Sequence, residues 1–478
     1  MKMLVGGKKI NAKDNDYLEV VNSATQEFID TVPNATIEDV QQAISIAQKG
    51  KKVWRSMSPK DRGDILLRCA EAIEQQQEEL ATLLSTEMGK VISEARDEIS
   101  VVSLIFKRFV EKANSLYGET ITNNDSGKAS DIIFTRREPL GVIACIVPFN
   151  YPAELCSHKI APALAAGNAV IIKPPTDNPL TIIRLVEILL ENGVPGNVVQ
   201  VLTGDGALIG GELAKSPFID AISLTGSTEV GKIVARDSAS TLKRVFLELG
   251  GNDPLLILED ADLELAVEEA VKGRLKNAGQ TCCAPKRFIV HQAIKDRFIE
   301  KLIERLKRVR RGGPLENQTE LGSLISPKAV NEIHRQVHET MNQGAKCILG
   351  GSPESTTYYQ PTILVDVTPE MDVAKDMEIF GPVLPIIEFE SNQEAIEIAN
   401  NSIYGLAGGV ITSDFKKAID IAAKLECGSV VINGSGNYRN VDMPFGGYKM
   451  SGLGREGITC TLEEMTQEKS YVLKNVLL

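Results

Sequence analysis

The chain has few cysteines and no cluster of metal-binding side chains. Only 8 cysteines occur in 478 residues. None of them forms a CxxC pair or a Cys/His array at metal-ligand spacing. The sequence therefore predicts reduced thiols in a cytoplasmic setting and a protein that requires no metal.

The chain also has no excess of positive charge and no long hydrophobic run. Lys and Arg number 52 against 64 Asp and Glu, which gives a net charge of −12. This acidic balance provides no electrostatic footprint for nucleic acid or for an anionic membrane surface. The N-terminus lacks the apolar core of a signal peptide, and the most apolar later stretch, 140–149, is about half as long as a membrane span. We expect a soluble cytoplasmic protein with no nucleic-acid or membrane partner.

What the chain does contain is a large apolar fraction, 43% of its residues, which is enough for two or three domains. Apolar positions recur at helical spacing in 37–54, 61–88 and 99–116, so the first part of the chain should be largely helical. Within residues 118–138, polar residues separate two short β-prone runs, which indicates an exposed hairpin arm. A β-like run at 471–473 is a candidate partner for this arm.

Two series of short apolar runs, separated by helical stretches, follow the arm. The first series consists of 140–147, 169–172, 198–202, 221–224 and 244–247, and the second of 254–258, 288–290, 384–388, 409–411 and 429–432. Such alternation predicts parallel, doubly wound sheets. The expected fold class is therefore α/β, with two doubly wound parallel-sheet domains and a small β arm for oligomerisation.

Two glycine-rich segments imitate phosphate-binding loops. In 204–210 the last glycine comes one residue too late for a dinucleotide fingerprint, so a cofactor contact and a tight turn both remain open. Residues 226–232 match most of a P-loop, but Ile233 replaces the Mg²⁺-binding Ser or Thr, which disfavours an ATPase. The turn at Gly226 and Ser227 still suits an anionic group such as a pyrophosphate at a helix start.

A candidate nucleophile and a candidate base occur in the middle of the chain. The segment 277–284, NAGQTCCA, places two thiols after a Gly-Gln turn, and Glu248 stands at the end of an apolar run. A thiol attacks an electrophilic carbonyl well because its thiolate is accessible near neutral pH. A small, buried and inert side chain is the alternative for either cysteine taken alone.

Seven motifs extend this pattern over almost the whole chain: PFNYP at 148–152, AGNAVIIKPP at 166–175, LTGSTEVG at 224–231, LELGGNDP at 247–254, NAGQTCCA at 277–284, EIFGPV at 378–383 and MPFGGYKMSGLGREG at 443–457. In this order they resemble the NAD(P)-dependent, non-acylating aldehyde dehydrogenase superfamily. With this resemblance we expect a homodimer or homotetramer. The predicted parts are a cofactor-binding domain at 1–117 and 138–247, a catalytic domain at 248–445, an arm from 118–137 and 460–478, and a return to the cofactor domain at 446–459.

The resemblance implies roles for the catalytic residues. Cys282 matches the nucleophile, with Cys283 as a bystander, and its addition to an aldehyde would give a thiohemiacetal. The side-chain amide of Asn150 and the backbone N–H of Cys282 would hold the oxyanion. Hydride transfer to the nicotinamide then leaves a thioester, and Glu248 matches the base that activates water. Relatives that transfer the acyl group to coenzyme A typically lack this carboxylate, so hydrolysis is favoured.

The resemblance also implies a cofactor site, formed by Lys173, Thr176, Gly226, Ser227, Gly250, Glu378 and Phe380. Lys173 matches the residue that contacts the adenosine ribose and, in many relatives, supports catalysis. Ser227 would face the pyrophosphate, and Glu378 and Phe380 would hold the nicotinamide ribose and ring. Many NAD-preferring relatives have Glu where this chain has Thr176. Because the missing carboxylate would repel a 2′-phosphate, NADP⁺ or dual use is slightly favoured over NAD⁺.

The substrate is less defined. KPPT at 173–176 and FNYP at 149–152 resemble the non-phosphorylating glyceraldehyde-3-phosphate branch, but Thr281 stands where that branch usually has Arg. Lys276 stands where succinic semialdehyde members tend to have an Arg for the substrate carboxylate, and it keeps the charge without the guanidinium fork. Further pocket candidates are Tyr151, Phe445 and Arg108.

Succinic semialdehyde is therefore the first candidate substrate. Lactaldehyde, glycolaldehyde and glyceraldehyde 3-phosphate remain alternatives within the same reaction. A coenzyme A-acylating semialdehyde dehydrogenase, a thiol esterase and a non-catalytic relative are less favoured, since Cys282, Glu248, Asn150 and Lys173 are all present.

Overall fold

The computed structural model describes residues 1–125, 128 and 130–476. Its helices are α1 (Ile37–Ser56), α2 (Pro59–Gln75), α3 (Gln77–Met88), α4 (Ile92–Ala113), α5 (Pro152–Ala166), α6 (Leu180–Glu191), α7 (Gly206–Lys215), α8 (Thr228–Ser238), α9 (Leu263–Leu275), α10 (Lys295–Lys307), α11 (Pro327–Asn342), α12 (Asn392–Asn400), α13 (Phe415–Ala422) and α14 (Ile458–Glu464).

The strands are β1 (Met3–Val5), β2 (Lys8–Ile10), β3 (Tyr17–Val21), β4 (Phe28–Pro33), β5 (Thr120–Ile121), β6 (Ile132–Pro139), β7 (Val142–Ile146), β8 (Ala169–Lys173), β9 (Val199–Val201), β10 (Ala221–Thr225), β11 (Arg244–Glu248), β12 (Asp253–Ile257), β13 (Pro285–His291), β14 (Lys346–Leu349), β15 (Thr362–Val367), β16 (Val383–Phe389), β17 (Tyr404–Gly405), β18 (Ala407–Ile411), β19 (Ser429–Ile432), β20 (Tyr448–Lys449), β21 (Gly452–Leu453) and β22 (Thr466–Leu473).

The N-terminal region differs from its largely helical prediction. Four strands, β1 to β4, precede the first helix. A three-residue strand is too short to show an alternating pattern, and β1 is held by a remote partner, with Leu4 opposite Val201 of β9. The periodic stretch 61–88 is divided between α2 and α3 at Gln76, whose backbone leaves the helical region.

The first sheet positions one side of the candidate site. Its strand order is β2-β1-β9-β8-β7-β10-β11-β21. The five strands from β9 to β11 in that order run parallel. Every residue of β8 and β10 is buried, so these strands appear in the sequence as continuous apolar runs. The order reverses between β7 and β10, and the loops that follow these two strands border a crevice at their carboxyl ends.

The second sheet has the order β14-β15-β16-β13-β12-β18-β19. It is parallel except for β14, which pairs antiparallel with β15. A separate hydrophobic core lies against each of the two sheets. Every apolar run of both predicted series contains a strand, so the expected α/β class with parallel sheets is confirmed.

The predicted arm forms a three-stranded antiparallel sheet in the order β22-β6-β5. Its register runs from Thr466 opposite Pro139 to Leu473 opposite Ile132, and the rings of Phe134 and Tyr471 stack with centroids 5.0 Å apart. The expected pairing of the C-terminal run with the arm is confirmed. Five residues of the predicted arm, 126, 127, 129, 477 and 478, lie outside the described residues.

Over the described part of the chain, no helix combines the length and the apolar character that crossing a bilayer requires.

Candidate active site

A strained turn presents Cys282 between α9 and β13. Asn277 and Ala278 adopt left-handed backbone conformations with φ of 53° and 54°, and Gly279 follows with φ of 80°. Two successive non-glycine residues in this region are uncommon, and such strain concentrates at functional sites. A Cβ on Gly279 would lie 2.3 Å from the backbone of Gly381. The close approach of the two backbones therefore requires glycine at position 279.

Hydrogen bonds hold the side chain of Asn150 against this turn. Its Nδ2 donates to the carbonyl oxygen of Gln280 at 3.1 Å, and Nδ2 of Asn277 donates to the same oxygen at 3.2 Å. The Gln280 side chain is fully buried and its Oε1 accepts the backbone N–H of Ile325 at 3.0 Å. The amide of Asn150 is thus fixed beside the thiol loop, where an oxyanion donor would be needed.

A buried ion pair supports Asn150 from behind. Lys90 and Glu98 pair with both side chains fully buried, and Nζ of Lys90 donates to the carbonyl oxygen of Asn150 at 2.8 Å. The other oxygen of Glu98 accepts the backbone N–H groups of Ala153 and Glu154 at the start of α5, at 2.9 and 3.2 Å. A carboxylate at a helix N-terminus satisfies free donors and the helix dipole. Lys90 lies in the short loop between α3 and α4, and Glu98 lies on α4, so the sequence pattern gave no signal for this pair.

The two adjacent thiols differ in access. Both cysteines line a cavity, but Cys282 is partly exposed there. Cys283 is buried, packs in a small apolar cluster with Leu406, Ala407 and Phe445, and its Sγ lies 3.5 Å from Oδ1 of Asn437. The hydrogen bond between the thiols raises the pKa of Cys282 and lowers the pKa of Cys283 to about 7. Such a pair titrates jointly, so the two pKa values do not identify the nucleophile. The exposure of the two sulfur atoms does distinguish them, and it favours Cys282.

The cavity beside Cys282 has a volume of about 230 Å³. One wall carries Glu94, Asp97, Glu98 and Glu154, whereas Lys276 and Arg439 are its cations. The predicted pocket residues Tyr151, Lys276 and Phe445 all line it. Arg108 does not: its guanidinium is exposed on α4 and pairs with Glu111 at 3.0 Å, so its prediction as a pocket residue is wrong. Arg108 lies on α4, the helix that carries Glu94, Asp97 and Glu98, but it does not line the cavity.

Glu248 ends β11 with an unusual carboxyl group. Its Oε2 is buried and has no hydrogen-bond partner among the described residues. Burial and the nearby Glu456 raise the pKa of Glu248 well above its ordinary value. Burial acts to raise the pKa of Glu456, but the charge and hydrogen bond of Arg439, together with other nearby cations, outweigh it and lower this pKa. The arrangement keeps one carboxyl charged and its neighbour ready to hold a proton.

Lys173 and Thr176 occupy the loop after β8. Nζ of Lys173 donates to Oγ1 of Thr176 at 2.9 Å, and this hydroxyl donates to the carbonyl oxygen of Gly204 at 3.2 Å. Burial lowers the pKa of Lys173 to about 8. Asp205 caps α7 by accepting the N–H groups of its first turn. The turn alternative for 204–210 is therefore realised, while Gly204 also orients Thr176.

The turn after β10 opens α8. Ser227 is the N-cap of this helix, and its Oγ accepts the N–H of Val230 at 3.4 Å. The backbone N–H of Gly226 donates to the carbonyl oxygen of Glu248 at 3.0 Å. A Cβ on Gly231 would lie 2.6 Å from the side chain of Leu249, so the helix can approach this loop only with glycine there. The start of α8 is thus held close to the end of β11, at Glu248.

The remaining predicted cofactor residues, Gly250, Glu378 and Phe380, lie around the loop after β11 and the segment 378–383. Oε1 of Glu378 accepts the N–H of Gly251 at 3.3 Å, and a Cβ on Gly250 would lie 2.5 Å from Oε2 of Glu378. Phe380 packs edge-on against Phe149 with centroids 5.9 Å apart. A helix N-terminus, a buried amine, a carboxylate and an aromatic ring suit the pyrophosphate, ribose and nicotinamide groups of a dinucleotide.

Comparison with known proteins agrees with this geometry. The sequence profile described as "Aldehyde dehydrogenase family" matches residues 10–471. The chain belongs to the aldehyde dehydrogenase family. It is 38% identical to lactaldehyde dehydrogenase of Methanococcus maripaludis strain C5 over 99% of this chain and 100% of the relative. It is 36% identical to succinate-semialdehyde dehydrogenase [NADP(+)] GabD of Escherichia coli K12, over 98% and 96% of the two chains.

A solved structure of a family member shows the same fold. Betaine aldehyde dehydrogenase of Staphylococcus aureus in complex with NAD⁺ superimposes with a TM-score of 0.96 at 34% identity, covering 99% of this chain and 95% of the other. The protein is thus an NAD(P)-dependent aldehyde dehydrogenase that oxidises small aldehydes. The expected family, enzyme class and cofactor class are confirmed.

Three functional candidates of this aldehyde dehydrogenase were absent from the sequence-based set. Arg439 lines the cavity and donates to Glu456 at 2.7 Å, and Lys286 contacts the backbone of Cys282. Glu456 lies inside the motif 443–457 and Lys286 lies two residues after NAGQTCCA. In the sequence, the signal for these three residues was that they lie in or near the seven motifs. Only the fold shows that they face the thiol of Cys282 and Glu248.

Proposed function

We propose that the enzyme oxidises a short hydroxyaldehyde of the lactaldehyde type to its carboxylic acid. The observation that carries this choice is the guanidinium of Arg439 in the cavity beside Cys282. One of its nitrogens is bound to Glu456 at 2.7 Å, and it stacks on Phe445 with 3.7 Å from Cζ to the ring centroid. A second nitrogen, Nη1, is buried without a hydrogen-bond partner among the described residues. An unsatisfied buried donor costs about 1–3 kcal/mol, which a substrate hydroxyl would recover by accepting its hydrogen bond once the side chain turns Nη1 into the cavity.

A carboxylate-bearing aldehyde is the second candidate. Lys276 favours it by placing a positive charge in the cavity, with Nζ 5.7 Å from the ring centroid of Tyr151. That charge also acts on Glu94 and Glu154, whose pKa values are raised by burial and lowered again in part by Lys276. A substrate carboxylate would therefore have to share Lys276 with two acidic side chains. The curated relatives include both a lactaldehyde and a succinate-semialdehyde dehydrogenase.

The proposed steps assign one task to each residue. The thiol of Cys282 releases its proton to solvent as its sulfur bonds to the aldehyde carbon, and Asn150 with the backbone N–H of Cys282 donates to the oxygen. Bound NAD(P)⁺ supplies the acceptor for the hydride. Glu248 then takes a proton from water, whose oxygen attacks the thioester carbon. The C–S bond breaks, the leaving sulfur takes the proton held by Glu248, and the carboxylic acid and the Cys282 thiol are released.

The substrate prediction uses a pair of aldehydes that differ only in the hydroxyl. Lactaldehyde should have a higher kcat/KM than propionaldehyde or succinic semialdehyde in the native enzyme. Arg439→Lys should lower kcat/KM for lactaldehyde about tenfold more than for propionaldehyde, because a hydrogen bond to a charged donor contributes about 1.5–3 kcal/mol. Both effects are measured as initial rates of nicotinamide reduction, followed by the absorbance of the reduced cofactor.

Lys276→Met is the matched control for these measurements. It should leave lactaldehyde oxidation within about threefold of the native rate and raise KM for succinic semialdehyde, since only the latter carries a carboxylate. Equal losses for lactaldehyde and propionaldehyde in Arg439→Lys would contradict hydroxyl recognition. A higher native kcat/KM for succinic semialdehyde would favour the second candidate.

Cofactor choice depends on Thr176 in this proposal, with NADP⁺ or dual use favoured. Thr176→Glu should lower the ratio of kcat/KM for NADP⁺ to that for NAD⁺ by about tenfold or more, because a carboxylate repels a 2′-phosphate. Thr176→Gln is the control of similar size without the charge. If both variants change the ratio equally, loss of the Lys173–Thr176 hydrogen bond, rather than charge, decides the preference.

We also propose the predicted division into a cofactor-binding domain, a catalytic domain and an arm that joins two or four subunits. Two separate hydrophobic cores and a three-stranded sheet built from both chain segments of the arm support this division. Analytical ultracentrifugation of the native protein measures the subunit number.

A further inference from the structure

Lys286 is a buried cation at the start of β13 that none of the proposed steps uses. Its side chain is 1% exposed. Nζ donates to the carbonyl oxygen of Cys282 at 2.5 Å and pairs with Oε1 of Glu378 at 3.2 Å. A buried ammonium group remains charged only with close partners of this kind. The neighbouring Arg287, by contrast, binds only backbone carbonyl groups remote from the thiols.

Three loops meet at this ammonium group. The same Oε1 of Glu378 accepts the backbone N–H of Gly251 at 3.3 Å, and a Cβ on Gly251 would lie 3.2 Å from the carbonyl oxygen of Cys282. Lys286 therefore joins the thiol loop to the loop after β11 and to the EIFGPV segment. A change in its charge or length would act on the nucleophile directly.

The charged surroundings of the thiols come from several elements. Cys283 lies on the same loop, Lys286 on β13 and Arg439 after β19, while Asp253 on β12 and Lys276 after α9 face Cys283. The hydrogen bond with Cys283 and burial raise the pKa of Cys282, whereas Lys286 and Arg439 lower it. Arg439 is bound to Glu456 and Lys286 to Glu378, and Lys286 also acts on the buried carboxyl group of Asp253.

We propose that Lys286 is a positioning residue that fixes the Cys282 loop against Glu378 and stabilises the thiolate form of the nucleophile. The inference rests on the proposed role of Cys282. It differs from a purely structural role because the positive charge, and not only the hydrogen bond to the loop, contributes. An opposite charge close to a thiol favours the ionised form.

The pH dependence of alkylation tests this directly on the enzyme without cofactor. Iodoacetamide reacts when the thiolate sulfur bonds to its carbon and iodide leaves, after the thiol proton has passed to solvent, so the rate follows the thiolate fraction. Mass spectrometry of the peptide that contains Cys282 gives the rate for this thiol alone, in a Cys283→Ser background. Lys286→Met should raise the midpoint by about one pH unit, which means about tenfold slower alkylation below it, with an unchanged plateau at high pH.

Three further variants separate charge from structure. Lys286→Arg retains the charge and should restore a midpoint near the native one. Glu378→Gln should lower the midpoint, because the charge of Lys286 is then no longer offset. Lys276→Met removes another cavity cation without touching the Cys282 carbonyl and should shift the midpoint less than Lys286→Met.

An unchanged midpoint in Lys286→Met, or a lower plateau alone, would overturn the proposal. If Lys286→Met does not fold, an unchanged midpoint in Glu378→Gln has the same consequence. Failure of the proposed function is distinguishable, since it would appear as aldehyde oxidation by Cys282→Ala, whatever the alkylation midpoints are.

Discussion

Replacement of Cys282 by Ala should reduce kcat/KM for aldehyde oxidation by more than about 10⁴-fold, because the other thiol that lines the cavity, Cys283, is buried. The partly exposed sulfur borders the cavity, and the amide of Asn150 is fixed to the carbonyl oxygen of Gln280 in the same loop. NAD(P)⁺ binding should persist, because none of the hydrogen bonds that hold Gly226, Ser227 and Glu378 involves the thiol. Steady-state rates and titration of cofactor binding by protein fluorescence measure the two properties.

Cys283→Ala is the matched control for this result. The lowered pKa of Cys283 makes it a plausible rival nucleophile by ionisation alone. Its sulfur, however, is buried among Leu406, Ala407 and Phe445, and we expect Cys283→Ala to retain activity within about tenfold of native. Loss of activity in Cys283→Ala together with retention in Cys282→Ala would reverse the assignment.

Much of the fold could be predicted from the sequence because buried parallel strands produce distinct apolar runs. The runs at 169–172 and 221–224 coincide with fully buried strands. The short strands β1 and β14 gave no such pattern, since three or four residues are too few to show one, and β1 is also held by Val201 of β9, which is remote in sequence. Local periodicity records burial along one segment and carries no information about remote pairing.

The site could be predicted only where a motif marked it. Asn150, Tyr151, Lys276 and Phe445 lie in or beside quoted motifs, and the structure brings all four to the thiol region. The acidic wall could not be predicted, because Glu94 and Asp97 have the spacing of an ordinary polar helix face. Arg108 was placed in the pocket by proximity along the chain, and α4 instead presents it to solvent.

Glu248→Gln should convert steady turnover into a single burst of reduced cofactor, about one equivalent per active site, followed by a rate at least about 10²-fold below native. Acylation of Cys282 precedes the step that Glu248 serves, so the first turnover is retained. Glutamine has nearly the same shape as glutamate but cannot take a proton from water. Stopped-flow measurement of nicotinamide reduction, with mass spectrometry of the acylated enzyme, records both phases.

The pH dependence of turnover follows from the raised pKa of Glu248. A carboxyl with a raised pKa is an active base only above that pKa, so native deacylation should rise with pH through it, and Glu248→Gln should lack this rise. Glu456→Gln should move the rise to lower pH, because burial and the charge of Glu456 are the main causes of the shift. An unchanged steady rate in Glu248→Gln would assign deacylation to another base. Removing Glu456 also frees the positive charge of Arg439, which lowers the pKa of Glu248 as well. An unmoved pH profile in Glu456→Gln would therefore leave burial as the cause of the raised pKa.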